Sequence, residues 1–378
     1  MPNKNLAGNP YPSKIAAIQE YTNFPAADNT LPPDDIDLTV RNGFAKHTLV
    51  GLNVVLLEMA KQFPELLGIR VGDPMLGTMG IDSIPASEAA MVDQALNKTV
   101  TVAVSDLAND GQSLSAKVTV TNHVGHKFPS GVGFRRAFVE FDVLDANNNV
   151  LWSSGRTDAN GIIVDDKGAP IVGELWWKDD CSARIDPLAR LHQQHYQEIT
   201  LQNQAQIYQE LVSTPPPTGV STVVPMCGPY AHPAGELTTS FLSICSKVKD
   251  NRLLPQGFLS LSDREAIARA LGADDKMAEE TDPAGVVGDP DYINGGGGDS
   301  LIYRVGLDAF NGKNKPVAVR ATLYYQPTPP FFLQDRFCTA KGADMARLQQ
   351  ISSNLQLDYT PAANWKVLVG TSGTVAVR

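Results

Sequence analysis

The sequence predicts a mainly β protein: a β-sandwich, immunoglobulin-like or similar, with flanking α-helices, α+β overall. Three observations predict it. From Thr99 onward, apolar residues recur with a period of two in short runs separated by turn residues. Glycine and proline are plentiful, 31 and 26 in 378 residues, as a chain with many tight turns requires. Near both ends the period changes to three and four, the spacing of helices.

The elements follow in order. Residues 1–43 read as an extended arm, because Asn9-Pro10, Pro12, Pro25, Pro32-Pro33 and the acidic run from Asp34 break any helix. A helix is expected over 46–63, where Leu49, Leu52, Leu56, Met59 and Phe63 form one stripe that Pro64 ends. A second is expected over 86–96, opened by Ser87 as N-cap. Strands are expected at 99–104, 114–121, 137–144 and 150–154, with an Asp/Asn turn at 145–149. Residues 188–207 are divided: His192 and His195 have helical spacing, whereas Gln197, Ile199 and Leu201 alternate, and strand is favoured for the second half. Ser262 and Glu265 make a capping box for a helix over 264–271, stopped by Gly272. Strands at 301–307 and 317–326, a helix at 339–355 and a strand at 365–369 complete the pattern. The chain thus divides into an arm with helices packing on a partner region (1–98), a sandwich with long loops (99–330), and a C-terminal helix and strand packed on the sandwich (331–378).

The stretch 116–136 concentrates unusual chemistry. A strand ending near Thr121 breaks into a turn carrying His123, Gly125 and His126. Pro129, Gly131 and Gly133 exclude regular structure, and Arg135 and Arg136 precede the next strand. A histidine-rich, cationic excursion from a sheet is where function is commonly carried.

Composition narrows the class. The net charge of −10 argues against nucleic-acid partners, which require a basic surface. No apolar run reaches the roughly 18 residues of a transmembrane helix. The opening M-P-N-K-N-L-A-G-N-P has no apolar signal region, so an export signal would have been removed or would belong to a preceding domain. Four isolated cysteines permit free buried thiols or two disulfides in three connectivities; the pairing expected is Cys227 with Cys245, which closes a loop holding Pro229, Pro233 and Gly235 and leaves Cys181 and Cys338 as the other possible pair. There is no G-x-S-x-G, H-E-x-x-H or phosphate-binding glycine loop, so an enzyme is the less favoured reading. Asp289, Asp291, Asn294 and Asp299 surround four glycines, an oxygen-rich loop of a kind that suits calcium or serves as a solvated turn. His192 and His195, at i and i+3, suit a metal if they share a helix face.

The segment N-H-V-G-H-K-F-P-S-G, followed by R-R-A at 135–137, resembles the β-rich C-terminal domain of large multihaem c-type cytochromes. So do F-A-K-H-T-L-V-G-L-N (44–53), L-W-S-S-G (151–155), Q-A-Q-I-Y-Q-E (204–210), K-D-N-R-L-L-P-Q-G-F (249–258), D-P-D-Y-I-N-G-G-G-G-D-S-L-I-Y (289–303) and L-Y-Y-Q-P (323–327), all in the family's order. One departure is large: none of the cysteines stands in C-x-x-C-H, so no covalent haem is expected in this chain. The family's last haem motif often reads C-x-x-C-H-M-P and this chain begins Met1-Pro2. Either that is an ordinary start, or the chain is such a domain without its haem half. The resemblance implies a periplasmic or extracellular setting, an electron-transfer partner that bears haem, and contact with that haem in trans within a complex or oligomer. His47, His123, His126, His192 and His195 are then possible axial donors, with His47, His123 and His126 the candidates for haem ligation or contact, and Arg135 and Arg136 for haem propionates; equally, His126 can pin its turn to a backbone carbonyl, and one arginine can hold an internal ion pair. The expected role is a non-catalytic accessory or structural one. The alternatives are a secreted binding module for a polymer or protein, and a metal-dependent enzyme using the histidines.

Overall fold

The computed structural model describes residues 12–14, 40–42, 50–70, 82–186, 191–214, 235–274, 276–293 and 295–377. It has two units, Met1–Gly51 and Leu52–Arg378. In the first, β1 (Pro12–Lys14) and β2 (Val40–Asn42) pair antiparallel, with Ser13 opposite Arg41. The remainder of the arm, His47 included, lies outside the described residues.

The second unit is built on two sheets, and strand β4 (Ser113–Asn122) shows why. Its Leu114, Ala116, Val118 and Val120 are buried, while the Ser, Lys and Thr residues between them are half-buried, as a strand with one face on a core demands. β4 lies between β3 (Val100–Asn109) and β11 (Gly298–Gly306), antiparallel to both, and β7 (Glu198–Ile199) adds a short parallel edge to β11. The larger sheet runs β10 (Ser246–Asp250), β8 (Ile207–Ser213), β5 (Arg136–Leu144), β12 (Ala318–Gln326), β13 (Val367–Ala376). β6 (Val150–Ser154) pairs with β5, and β9 (Leu237–Thr238) with β8.

The two sheets face each other through one apolar core. Phe141 of β5 stacks on Tyr303 of β11, ring centroids 4.1 Å apart, amid Val118, Val120, Val139, Val319 and Leu323. Each such buried side chain contributes about 1.5–3 kcal/mol. β5 is covered on both faces: Phe138, pointing the other way, packs with Ile163, Ile171 and Ile207 of a second cluster. Gly155, after β6, could be no other residue: its φ is +78° and a Cβ there would lie 2.1 Å from the Val139 carbonyl.

Helices flank the sandwich. α1 (Val54–Gln62) is followed by α2 (Pro64–Leu67) and α3 (Ser83–Lys98). After β10 come α4 (Leu261–Ala270), α5 (Lys276–Glu279) and α6 (Pro290–Ile293), and after β12 come α7 (Pro330–Thr339) and α8 (Ala343–Asn354). Val54, Val55 and Met59 of α1 meet Ala95 of α3, Ile351 of α8 and Val367 of β13, so helices from both ends of the chain share one core. The fold is therefore mainly β and α+β overall, as the alternation predicts.

Boundaries differ from expectation for local reasons. α1 starts at Val54, where the Asn53 side chain accepts from Leu56 N–H at 3.0 Å. α3 starts before Ser87 because Asp82 is the cap, accepting from Ile84 N–H. α4 is capped by Ser260 rather than Ser262. α7 was hidden by Pro329-Pro330; Pro330 occupies the first turn, where a missing N–H costs nothing. Cys181 and Cys338 form a disulfide spanning 157 residues. Cys245 is disulfide-bonded too, and its expected partner Cys227 lies outside the described residues. Among those residues no helix is long and apolar enough to cross a membrane.

Candidate functional site

The loop between β4 and β5 is fastened at its base. Asn122, the last residue of β4, is fully buried. Its amide donates to the carbonyls of His126 (2.9 Å), Leu254 (3.1 Å) and Leu253 (3.2 Å), while its oxygen accepts from Val124 N–H. Phe128 and Leu253 exchange backbone hydrogen bonds. Gly131 is required here: φ is +89°, and a Cβ would lie 2.6 Å from the Arg135 guanidinium. On this base His123 and His126 are exposed. The His123 Nε2 lies 3.0 Å from the Thr101 hydroxyl. The His126 Nδ1 lies 2.9 Å from the Lys127 carbonyl. A carbonyl only accepts, so Nδ1 carries a proton, and in the neutral imidazole Nε2 is the nitrogen with the lone pair.

The cations of this stretch face inward. Lys127 reaches the buried Asp250 at 2.6 Å, and Arg252 holds the other Asp250 oxygen at 2.7 Å. Burial opposes ionisation of Asp250, but Arg252 and Lys127 outweigh it and hold its carboxyl below the usual value. Arg136 is 1% exposed. It donates to both oxygens of the equally buried Glu174 (2.5 and 2.7 Å) and to Gln326 (2.7 Å), so it is the arginine with an internal pair. Arg135 is half-buried; its Nη1 is 3.4 Å from the Ser130 carbonyl, and its Nε is buried without a hydrogen-bond partner.

Beneath the loop lies a second cluster, a buried joint of segments far apart in sequence. The segment from Leu191 to Tyr196 is irregular, so the three-residue spacing of His192 and His195 makes no helix face. His195 turns inward, its side chain 3% exposed. Its Nε2 is 2.7 Å from Asp289 and 3.9 Å from Asp299. Its Nδ1 faces the amide nitrogens of Gln206 (2.9 Å) and Asn251 (3.2 Å). Asp299 accepts from Gln206 and Tyr208, each at 2.8 Å, through one oxygen; the other is buried without a partner. Tyr292 donates to the Asn251 carbonyl at 2.6 Å. Burial pushes the Asp299 carboxyl up to about 6. Nearby Lys249, 1% exposed and bonded to the Gln193 and Ile207 carbonyls, is pushed down to about 7 by burial and then by Arg136.

His195, Asp289 and Asp299 bring three ligand-type atoms within 4.8 Å of one another, so the fit to a metal can be judged. A metal on Nε2 requires the proton on Nδ1. Nδ1 instead meets two amide N–H donors whose orientation is set, because the Gln206 oxygen accepts from Tyr196 N–H and the Asn251 oxygen from Gln209 N–H. The donor chemistry suits an Nε2–H of His195 donated to the Asp289 carboxylate. For calcium, Asp289 accepts from Asp291 N–H and Asp291 from Ser300 N–H. Among the three described carboxylates, only Asp299 offers a buried oxygen without a partner, short of the 6–8 oxygens calcium takes. Asn294 lies outside the described residues.

The structure thus brings Asp289 and Asp299 together and adds His195, which the sequence offered as half of a helical pair and as one of five possible axial donors. Asn122, Glu174, Gln206, Tyr208, Lys249, Asn251 and Tyr292 were not singled out. Most of them do fall within the segments N-H-V-G-H, Q-A-Q-I-Y-Q-E, K-D-N-R and D-P-D-Y, and polar residues inside apolar strand patterns were the available signal.

No family model matches this chain, and no curated protein matches it. Among solved structures, the chain is similar to a penta-heme cytochrome c552 from Thermochromatium tepidum, with 13% sequence identity and a TM-score of 0.33. The similarity covers 76% of this chain and 40% of that one.

Proposed function

We propose that this chain is a non-catalytic accessory module of an electron-transfer system, one that docks on a haem-bearing partner and offers His126 to the haem. The observation that carries this reading is the His126 ring. It is exposed, and its Nδ1–H is committed to the Lys127 carbonyl at 2.9 Å. That leaves an Nε2 lone pair on a ring held by its own chain, the protonation state a metal-binding histidine needs. The ordered set of cytochrome-like segments supports the reading, as does the absence of C-x-x-C-H: a haem would come from the partner. His123 is the neighbouring contact residue, and Arg135 rather than Arg136 is the cation for a propionate. When bound, haem supplies one-electron chemistry, and this chain supplies a ligand and a rigid base. The disulfides agree with an exported protein.

The test is a titration with a ferric haem peptide carrying one histidine and an open axial position. The native chain is expected to convert the peptide to a low-spin spectrum at near-stoichiometric amounts. His126→Ala is expected to abolish that conversion while thermal unfolding stays within a few degrees of the parent. An identical spectral change with the variant would sink the proposal.

A further inference from the structure

The Nδ1–H of His126 is donated to the Lys127 carbonyl at 2.9 Å, so whatever holds that carbonyl also holds the ring in one tautomer. The carbonyl belongs to the Lys127–Phe128 peptide, which is trans, so its C=O and its N–H point in opposite directions. The Phe128 N–H is donated to the Leu253 carbonyl at 2.9 Å. With that end fastened, the peptide plane cannot turn without breaking the bond, and the Lys127 carbonyl stays directed at the ring. Two things then remain to be fixed: the backbone of His126 itself and the place of Leu253.

One buried side chain fixes both. The Asn122 amide donates to the His126 carbonyl (2.9 Å) and to the same Leu253 carbonyl that takes Phe128 (3.2 Å), as well as to Leu254 (3.1 Å). Its oxygen accepts from Val124 N–H at 3.0 Å, which closes the start of the turn. Carbonyls only accept, so the amide has a single orientation, and its two hydrogens serve three oxygens. The strand beneath is fixed as well, because the Asn122 N–H is donated to the Gly297 carbonyl at 2.7 Å. Other residues of this size fail here: an ionised aspartate would face three carbonyl oxygens, and leucine would strand them with the Val124 N–H. We propose that Asn122 is the positioning residue for His126: through the His126 and Leu253 carbonyls it holds the Lys127–Phe128 peptide in the orientation that keeps the ring proton on Nδ1 and leaves Nε2 open to haem iron. Its purpose rests on the reading of His126 as a haem ligand, whereas the tautomer is read on the chain alone.

Nitrogen-15 NMR of the full chain with labelled histidine, at about pH 8 where imidazoles are ordinarily neutral, shows which ring nitrogen bears hydrogen. The His126 signals are those missing from His126→Ala. The native chain is expected to show Nδ1–H at His126. Asn122→Ala is expected to move the ring toward Nε2–H, the form an imidazole side chain prefers in water, and to weaken binding of the ferric haem peptide about tenfold, the scale for losing a group that orients a metal ligand. Asn122→Ser keeps one donor, so an intermediate shift is expected, and it is read alone where the alanine variant does not fold. Val319→Ala removes core packing at the opposite end of β5 and β12, opposite Val143, and is expected to lower stability with no change of tautomer. Nδ1–H retained in the Asn122 variants would overturn the proposal and leave the haem reading standing. The same tautomer change in Val319→Ala, or Nε2–H in the native chain, would overturn it too. A tautomer that shifts as expected, in a native chain that does not bind the haem peptide, would uphold the role of Asn122 and remove the haem reading.

Discussion

Two histidines of this protein stand in similar surroundings in sequence and in opposite ones in space. His126 sits on an exposed turn with one ring nitrogen tied to a carbonyl. His195 sits in a joint closed to water with both nitrogens engaged, one by a carboxylate and the other by two amides. The first is committed on one side and available on the other; the second is saturated. What separates an open imidazole from a strut is therefore which nitrogen has a partner and what kind, more than the residue or its motif.

The largest loss is expected where the loop ends and β5 begins, at the buried Arg136–Glu174 pair. Arg136→Ala leaves Glu174 buried and unpaired, and equilibrium denaturation is expected to show a loss of about 3–5 kcal/mol. Replacing both partners with apolar residues of similar volume should recover most of it. Recovery of nothing would mean that the pair does more than cancel its own burial cost.

A direct contrast comes next. His195→Ala removes the donor to Asp289 and takes one acceptor from each of the Gln206 and Asn251 amides, so it is expected to cost about 2–4 kcal/mol. His126→Ala, at an exposed ring, should cost under about 1 kcal/mol. Equal losses would erase the distinction between strut and presented ligand.

The joint also predicts a pH dependence. In the folded protein Asp299 binds its proton up to about pH 6, against an ordinary value of 3.8. Between those values the native state holds more protons than the unfolded chain, so this carboxyl's contribution to stability declines as pH rises through the window. Ionising it in place costs about 3 kcal/mol at neutral pH. Relative to the parent, Asp299→Asn should therefore gain that amount between about pH 4 and 7, read from urea unfolding across the range. Lys249 has the opposite slope: held near 7 against 10.5, it favours folding increasingly as pH rises from 7. Lys249→Met should flatten the alkaline limb alone. A constant difference between Asp299→Asn and the parent across pH would contradict the buried, proton-holding carboxyl.

The smallest expected effect lies at His123, whose contact is one exposed hydrogen bond to Thr101. His123→Ala should change stability by less than about 0.5 kcal/mol. A loss as large as that of His195 would place His123 in the base of the loop and not on its surface.

Legibility in the sequence followed the range of the forces involved. β4 and β12 were readable because alternation is local: each side chain's face is set by its neighbour two residues away. Helix starts were less so, since Asp82, Ser87, Ser260 and Ser262 all qualify as caps and only the surrounding chain selects among them. The turn at His123 and His126 was visible from proline, glycine and histidine alone. Its cations were half legible: the sequence allowed an internal pair for one arginine without saying which, and Lys127 looks like surface charge until Asp250 arrives from elsewhere.

By itself, then, the sequence determined a mainly β chain with helices at its flanks, a net acidic composition, and a histidine turn at the end of one strand. These follow from patterning and composition, which are properties of neighbouring residues. Tertiary structure alone decided that His195 meets Asp289 across 94 residues, that Arg136 meets Glu174 across 38 and Gln326 across 190, and that one Asp299 oxygen is left without a partner. The physical reason is that burial sets the worth of a charge or a hydrogen bond, and burial exists only once distant strands have closed over it.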